Sequence, residues 1–100
     1  MELGRVRGQV VSTIKQDGLH GLKLLLVEPV DPLSGEGGPS SRQFVAVDLA
    51  GAGQGEVVVV TRGSGARIPP HAGHVPTDAA VVAIVDSVVV DNETTFRKSE

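Results

Sequence analysis

A run of β-branched residues enters a glycine-rich loop, and a second such run leaves it: Val45-Ala46-Val47-Asp48-Leu49-Ala50-Gly51-Ala52-Gly53-Gln54-Gly55-Glu56-Val57-Val58-Val59-Val60. No other feature of the chain narrows its fold so far. The alternating glycines Gly51, Gly53 and Gly55 have the look of a phosphate-cradling loop. Such a loop follows a strand and opens a helix, so that phosphate sits on the helix N-terminus. Here the following residues are valines, which favour strands. The segment therefore reads as a strand-to-strand connection in which backbone approaches something closely.

The rest of the chain is punctuated in the same style. Gly4, Val6, Gly8, Val10, Ser12 and Ile14 share one parity, and Arg5, Arg7, Gln9, Thr13 and Lys15 the other, which predicts a half-buried first strand. Gly4 and Gly8 fall on its buried parity. Asp17-Gly18 and Gly21 signal a turn. Leu22 to Val27, broken only by Lys23, predicts a second strand covered on both faces, ended by Pro29 and Pro32. Residues 31–42, rich in Pro, Gly and Ser, read as an exposed, mobile loop. Gln43 to Leu49 and Glu56 to Thr61 are the third and fourth strands. Arg62 to Pro76 is mostly irregular, with room for one helical turn near Ser64 to Arg67. Ala79 to Val90 is the last strand or strand pair, with Asp86 at a bend, and residues 91–100 form a charged C-terminal tail. The pattern predicts an all-β chain: a small five-stranded OB-like barrel with long irregular loops, in a single domain spanning residues 1–100.

Composition restricts what such a barrel can do. The chain has 100 residues, two phenylalanines, and no tryptophan, tyrosine or cysteine. Its core must be built from Val, Leu, Ile and Ala, and a core that thin is commonly supplemented by oligomerisation. Without cysteine there are neither disulfides nor thiolate metal sites. A formal net charge of −3 argues against a nucleic-acid surface. Arg5, Arg7, Lys15, Arg62 and Arg67 are basic, but Phe44 and Phe96 are too few to stack bases. No secretory signal and no membrane span are expected.

The chemical constellations are weak. Asp48 and Glu56 flank the glycine loop, but no nucleophile or histidine lies near them in sequence. Their expected use is bonding to backbone amides or to an interface partner. His20, His71 and His74 would have to ligate a metal from a proline-rich segment, a poor scaffold for the purpose. Ser64 with a histidine and Asp78 lacks the Gly-x-Ser-x-Gly elbow, the local sequence being Arg62-Gly63-Ser64-Gly65-Ala66. No catalytic residue, metal or cofactor is expected.

Several segments together resemble the EutN/CcmL family of bacterial microcompartment vertex proteins. Leu3-Gly4-Arg5-Val6-Arg7-Gly8-Gln9-Val10 is similar to the family's opening Gly-x-Val-x-Gly-x-Val. Gly21-Leu22-Lys23-Leu24-Leu25-Leu26-Val27 is similar to its second strand. Ala46-Val47-Asp48 with Gly51-Ala52-Gly53-Gln54-Gly55-Glu56 matches its most specific motif. Gly63-Ser64-Gly65-Ala66-Arg67 and Asp78-Ala79-Ala80-Val81-Val82-Ala83-Ile84-Val85-Asp86 complete the series. The family often has a second Ser where Gly65 stands, and the His71 to His74 insert has no counterpart in the motif series.

The resemblance implies a cyclic homopentamer without chemistry of its own. It would cap the fivefold vertices of a polyhedral shell in the bacterial cytoplasm, beside hexameric and pseudohexameric shell proteins. Residues Gly51, Ala52, Gly53, Gln54, Gly55 and Glu56 are the expected pore or subunit-interface loop. Gly63, Ser64, Arg67 and Asp86 are candidate contacts within the ring or with shell tiles. The competing reading is an OB-like binding module for nucleic acid or a small ligand.

Overall fold

The structure, a computed structural model, describes residues 1–12, 21–33, 42–63 and 78–98. Seven strands follow one another: β1 (Glu2–Val10), β2 (Lys23–Pro29), β3 (Phe44–Asp48), β4 (Val57–Arg62), β5 (Ala79–Ile84), β6 (Ser87–Val90) and β7 (Glu93–Arg97). The first five close a barrel in the order β1-β2-β3-β5-β4. All neighbouring strands in it are antiparallel except β3 and β5, which run parallel over Val47–Ala80 and Asp48–Val81. The five-stranded barrel expected from the strand spacing is thus present; β3 and β4 lie within a residue of their expected limits, whereas β1 ends at Val10, short of the alternation read through Lys15. The proposed helical turn near Ser64 to Arg67 lies outside the described residues, as do His20, His71 and His74.

The barrel interior is aliphatic. Val6, Leu25, Val27, Ala46, Val58, Val60 and Val81 form one buried cluster, with Phe44 and Ile84 packed against it. β-branched residues fit here because the inner face of a small barrel leaves room for short, stiff side chains on a pleated surface. Gly4 has no such room: a Cβ there would overlap the Val27 Cγ1 methyl and lie 3.2 Å from the Glu28 carbonyl. The glycine is needed because β1 and β2 approach closely.

Gly8 departs from expectation. The ladder between β1 and β2 slips between Val6 and Gly8, so that Val6 faces Val27 but Gly8 faces Leu26. Arg7 is the extra residue of a β-bulge, and one inserted residue reverses which side the following side chains take. Gly8 and Val10 therefore leave the inner parity and join Leu26 and Leu24 on the outer face, and a Cβ on Gly8 would meet nothing within 4 Å. The second strand is also less enclosed than expected. Leu25 and Val27 are buried inside, whereas Leu24 packs outside against Val47 beside Leu22 and Leu49, and Leu26 is partly exposed.

The residues read as a C-terminal tail contain β7. It pairs with β6 from Ser87–Arg97 to Val90–Glu93. The connection is Asp91-Asn92, with φ of 50° and 66°. Positive φ at both central positions marks a type I′ turn, whose twist suits a two-residue hairpin, and Asp and Asn tolerate that conformation better than most residues. An isolated two-stranded hairpin is marginal in water, and this one is tied down. The Thr95 hydroxyl donates to the Pro32 carbonyl at 2.6 Å. The Val85 amide, at the entry to β6, donates to the Val57 carbonyl at 2.8 Å, while the Lys98 amide extends the β6–β7 ladder itself by donating to the Asp86 carbonyl at 2.7 Å.

Candidate functional site: the glycine loop

The loop from Leu49 to Glu56 links β3 to β4, and its amides face inward onto two carboxylates of the same chain. Asp48 closes β3. Its Oδ1 accepts from the amides of Ala50 (3.0 Å), Gly51 (3.0 Å) and Ala52 (3.3 Å). Its Oδ2 lies 3.4 Å from Lys23 Nζ on the adjacent strand, and the Asp48 side chain is only 3% exposed. Lys23 also donates to the Ala52 carbonyl at 2.8 Å. Ala52 is fully buried and anchors the loop in the barrel core. Gly51 takes φ of 79° and Gly55 φ of 89°, left-handed values that side chains resist.

The second carboxylate works from the other end. Glu56 Oε1 accepts from the Gly53 amide at 2.6 Å, while the Glu56 amide donates back to the Gly53 carbonyl at 3.2 Å. Glu56 Oε2 sits 2.8 Å from Lys98 Nζ, just past β7. The Lys98 ammonium and then the Gly53 amide hold the Glu56 carboxyl below the usual range, against the opposing effect of burial. Reciprocally, Glu56 raises the Lys98 ammonium above the ordinary lysine value. Arg5 donates to the Gly55 carbonyl at 2.8 Å, and its guanidinium stands 5.8 Å from the Phe96 ring centre. The Gly55 amide donates to the Val6 carbonyl at 2.7 Å.

This arrangement decides between the readings of the loop. In a phosphate cradle the amides converge on an external anion; here Asp48 takes three of them and Glu56 a fourth. Asp48 and Glu56 are bonded to backbone amides and lysines, the use expected for them from sequence. The loop is an exposed backbone turn whose amides at Ala50, Gly51, Ala52 and Gly53 are held by carboxylates of the same chain.

The anticipated basic face is similarly committed. Arg7 Nε lies 3.4 Å from Glu28. Arg62 lies 3.3 Å from Glu2 and stacks 4.1 Å over the Phe44 ring. Each phenylalanine thus carries an arginine on its face and is not a bare stacking platform. Lys15 and Arg67 lie outside the described residues. Among the described residues, no group of three or more His, Asp or Glu side chains is placed to hold a metal ion.

Of the other candidate contacts, Gly63 ends β4 with φ of 63°. Its amide donates to the Asp78 carbonyl at 2.8 Å. Asp86 is exposed at the bend between β5 and β6. Ser64 lies outside the described residues. Lys23, Lys98 and Arg5, which brace the loop, were not singled out for it from sequence. Lys23 did carry a signal, as the one charge in an otherwise apolar strand; Lys98 carried none, because its partner lies far off in sequence.

A five-stranded aliphatic barrel with an internally braced glycine loop defines a small all-β barrel protein. The comparisons with known proteins agree. Residues 1–86 match the family model described as ethanolamine utilisation protein EutN/carboxysome. The chain belongs to the EutN/CcmL family. It is 43% identical over 101 residues to the carboxysome shell vertex protein CcmL of Synechococcus elongatus, covering 100% of this chain and 98% of that protein. It is 42% identical over 98 residues to the bacterial microcompartment shell vertex protein EutN of Escherichia coli K12, covering 98% and 100%. Among solved structures, CcmL of Gloeobacter violaceus superposes with a TM-score of 0.90 at 42% identity, covering 98% of each chain. The pentameric microcompartment shell protein GrpN of Rhodospirillum rubrum superposes with a TM-score of 0.79 at 44% identity, covering 92% of this chain and 100% of that one.

Proposed function

We propose that this chain is the vertex subunit of a bacterial microcompartment shell. It assembles as a cyclic homopentamer and seats at the fivefold corners between facets of hexameric and pseudohexameric shell proteins. The observation that carries this reading is identity above 40% along the whole chain to shell vertex proteins of two microcompartment types. A flat hexagonal sheet cannot close without fivefold defects, so the role is geometric. The carboxylates that might have suggested catalysis spend their lone pairs on the loop and its lysines. The subunit has no chemistry of its own, and it resides in the shell within the bacterial cytoplasm.

The loop Gly51 to Glu56 is assigned to the subunit junctions around the pentamer axis. Gly51, Gly53 and Gly55 are exposed there, so several copies can crowd together without side-chain clash. Gly63, Ser64, Arg67 and Asp86 are assigned to contacts within the ring or with neighbouring tiles.

Native mass spectrometry tests the reading. The wild-type chain is expected as a pentamer that co-assembles with hexameric shell proteins into closed particles. A chain that stays monomeric at micromolar concentration, even with those tiles present, would refute it. Gly53→Trp tests the loop: the ring is expected to fail while the barrel stays folded, and an intact pentamer would remove the loop from the junction. Arg67→Ala chains that still cap shells would remove Arg67 from the contact set.

A further inference from the structure

Phe96 has no place in the barrel core. It is one of two aromatic residues in the chain, yet it stands partly buried on the polar strand β7 and joins neither buried cluster of the described residues, whereas Phe44 packs on the core. It forms instead one wall of a cleft of about 270 Å³ between β1, the exit of the glycine loop and the end of the hairpin. The Arg5 guanidinium stands over its ring, 5.8 Å from the centre, and Lys98 lines the same cleft two residues further along. In a strand alternate side chains share a face. Phe96 and Lys98 therefore turn to the barrel together, and Arg97, paired across the ladder with exposed Ser87, turns to solvent.

The polar groups of this cleft are unbalanced. Arg5 donates to the Gly55 carbonyl at 2.8 Å, and a guanidinium has five N–H donors to give. The Lys98 ammonium, with three donors, lies 2.8 Å from Glu56 Oε2. Glu56 is the acid of the cleft, and both its oxygens are engaged, Oε1 by the Gly53 amide at 2.6 Å and Oε2 by Lys98. Donor capacity therefore exceeds acceptor capacity. Two cations against one carboxylate also leave one positive charge. The chain as a whole carries −3, so that charge is a local feature and not part of a basic surface.

That surplus selects a ligand. A dianion would set two negative charges beside the Glu56 carboxylate, whereas a monoanion matches the net charge. The arginine fork fits a carboxylate. The volume falls below the roughly 300–1,000 Å³ of pockets for drug-sized molecules, and Phe96 supplies an apolar wall. We infer that this cleft binds a small organic monoanion, a carboxylate on a short apolar body, with the carboxylate on Arg5 and Lys98 and the body on Phe96. Occupancy reaches the glycine loop, because the same two cations hold the Gly55 carbonyl and Glu56. The cleft lies within one chain, so binding does not depend on the homopentamer proposed above.

Amide NMR of the isotope-labelled full chain tests it, in a titration with butyrate at neutral pH and constant ionic strength, chloride being the balancing anion. Saturable shifts in the millimolar range are expected at the amides of Gly55, Phe96 and Lys98, and none with butanol, which has the same body without the charge. Arg5→Gln and Lys98→Met should each weaken binding by about tenfold or more, the worth of a charge-assisted hydrogen bond. Arg7→Gln, which loses only the contact with Glu28, should bind as wild type does. Lys98 follows β7 with a side chain 42% exposed, so its removal spares the barrel and keeps the test open should Arg5→Gln fail to fold. No saturation at those amides, or wild-type affinity in Lys98→Met, would overturn the site. Inorganic phosphate binding more tightly than butyrate, or butanol binding equally well, would overturn the ligand class. A wild-type chain that binds butyrate but stays monomeric would instead sink the vertex reading and leave the cleft standing, so the two failures are distinguishable.

Discussion

Replacing Asp48 with alanine should loosen the glycine loop by an amount the geometry allows one to estimate. One carboxylate oxygen holds three amides, of which Gly51 is exposed and those of Ala50 and Ala52 are partly buried. In Asp48→Ala the Gly51 amide turns to water, while the other two lose their acceptor. At about 1–1.5 kcal/mol for each lost bond, the cost is about 2–3 kcal/mol. Lys23, itself 38% exposed, keeps the Ala52 carbonyl at 2.8 Å, so its lost ion pair adds little. For a domain of this size the melting temperature should fall by roughly 8–24 °C. Asp48→Asn keeps one carbonyl acceptor and should lose about half as much. With no tryptophan or tyrosine in the chain, unfolding is best followed by far-ultraviolet circular dichroism, at one fixed subunit concentration because assembly contributes to stability. An Asp48→Ala protein within about 0.5 kcal/mol of wild type, the range of an ordinary surface change, would mean that water already serves these amides and that the carboxylate does not shape the loop.

Other perturbations separate further elements of the argument. Gly4→Ala must push β1 from β2 and should cost about 1–3 kcal/mol in the same denaturation experiment, whereas Gly8→Ala, with open space above it, should fall within about 0.5 kcal/mol of wild type. Glu56 has its folded pKa lowered, so the stability it contributes is present above the ordinary carboxylate pKa and disappears as pH falls through the depressed value. Lys98 is raised, so its share is present below the ordinary lysine pKa and disappears as pH rises through the elevated one. Amide exchange at Gly53 should therefore be slowest, after correction for intrinsic rates, on a plateau between those limits, and Lys98→Met should abolish the alkaline limb and lessen the acid one. Asn92→Ala, which forces alanine to φ of 66°, should cost about 1 kcal/mol or somewhat more and speed exchange in β7, while Asn92→Gly should spare the hairpin.

The barrel strands and the glycine loop were legible because their signals are local. A β-branched run announces a strand through side-chain sterics alone, and a glycine before valines cannot open a helix without opposing them. That locality is why the third and fourth strands lie within a residue of their expected limits. The hairpin was missed because Asp91-Asn92 is a weaker turn signal than Asn-Gly, and the polar strand Glu93–Arg97 shows no apolar alternation. Gly8 was misplaced because a bulge is a relation between two strands. Nothing in β1 alone marks Arg7 as the extra residue.

What the sequence determined by itself was therefore the kind of molecule: an aliphatic, aromatic-poor β-barrel with a glycine loop that no helix follows, in a motif order shared with shell vertex proteins. What only the tertiary structure decided was where the polar groups and the surplus apolar groups go. Asp48 meets Lys23 across a strand pair, and Glu56 meets Lys98 across most of the second half of the chain. Leu26 and Val59 turn outward on different walls of the barrel. Such pairings depend on ladder register and barrel closure, which arise from all the strands at once, so no single segment of the chain can encode them alone.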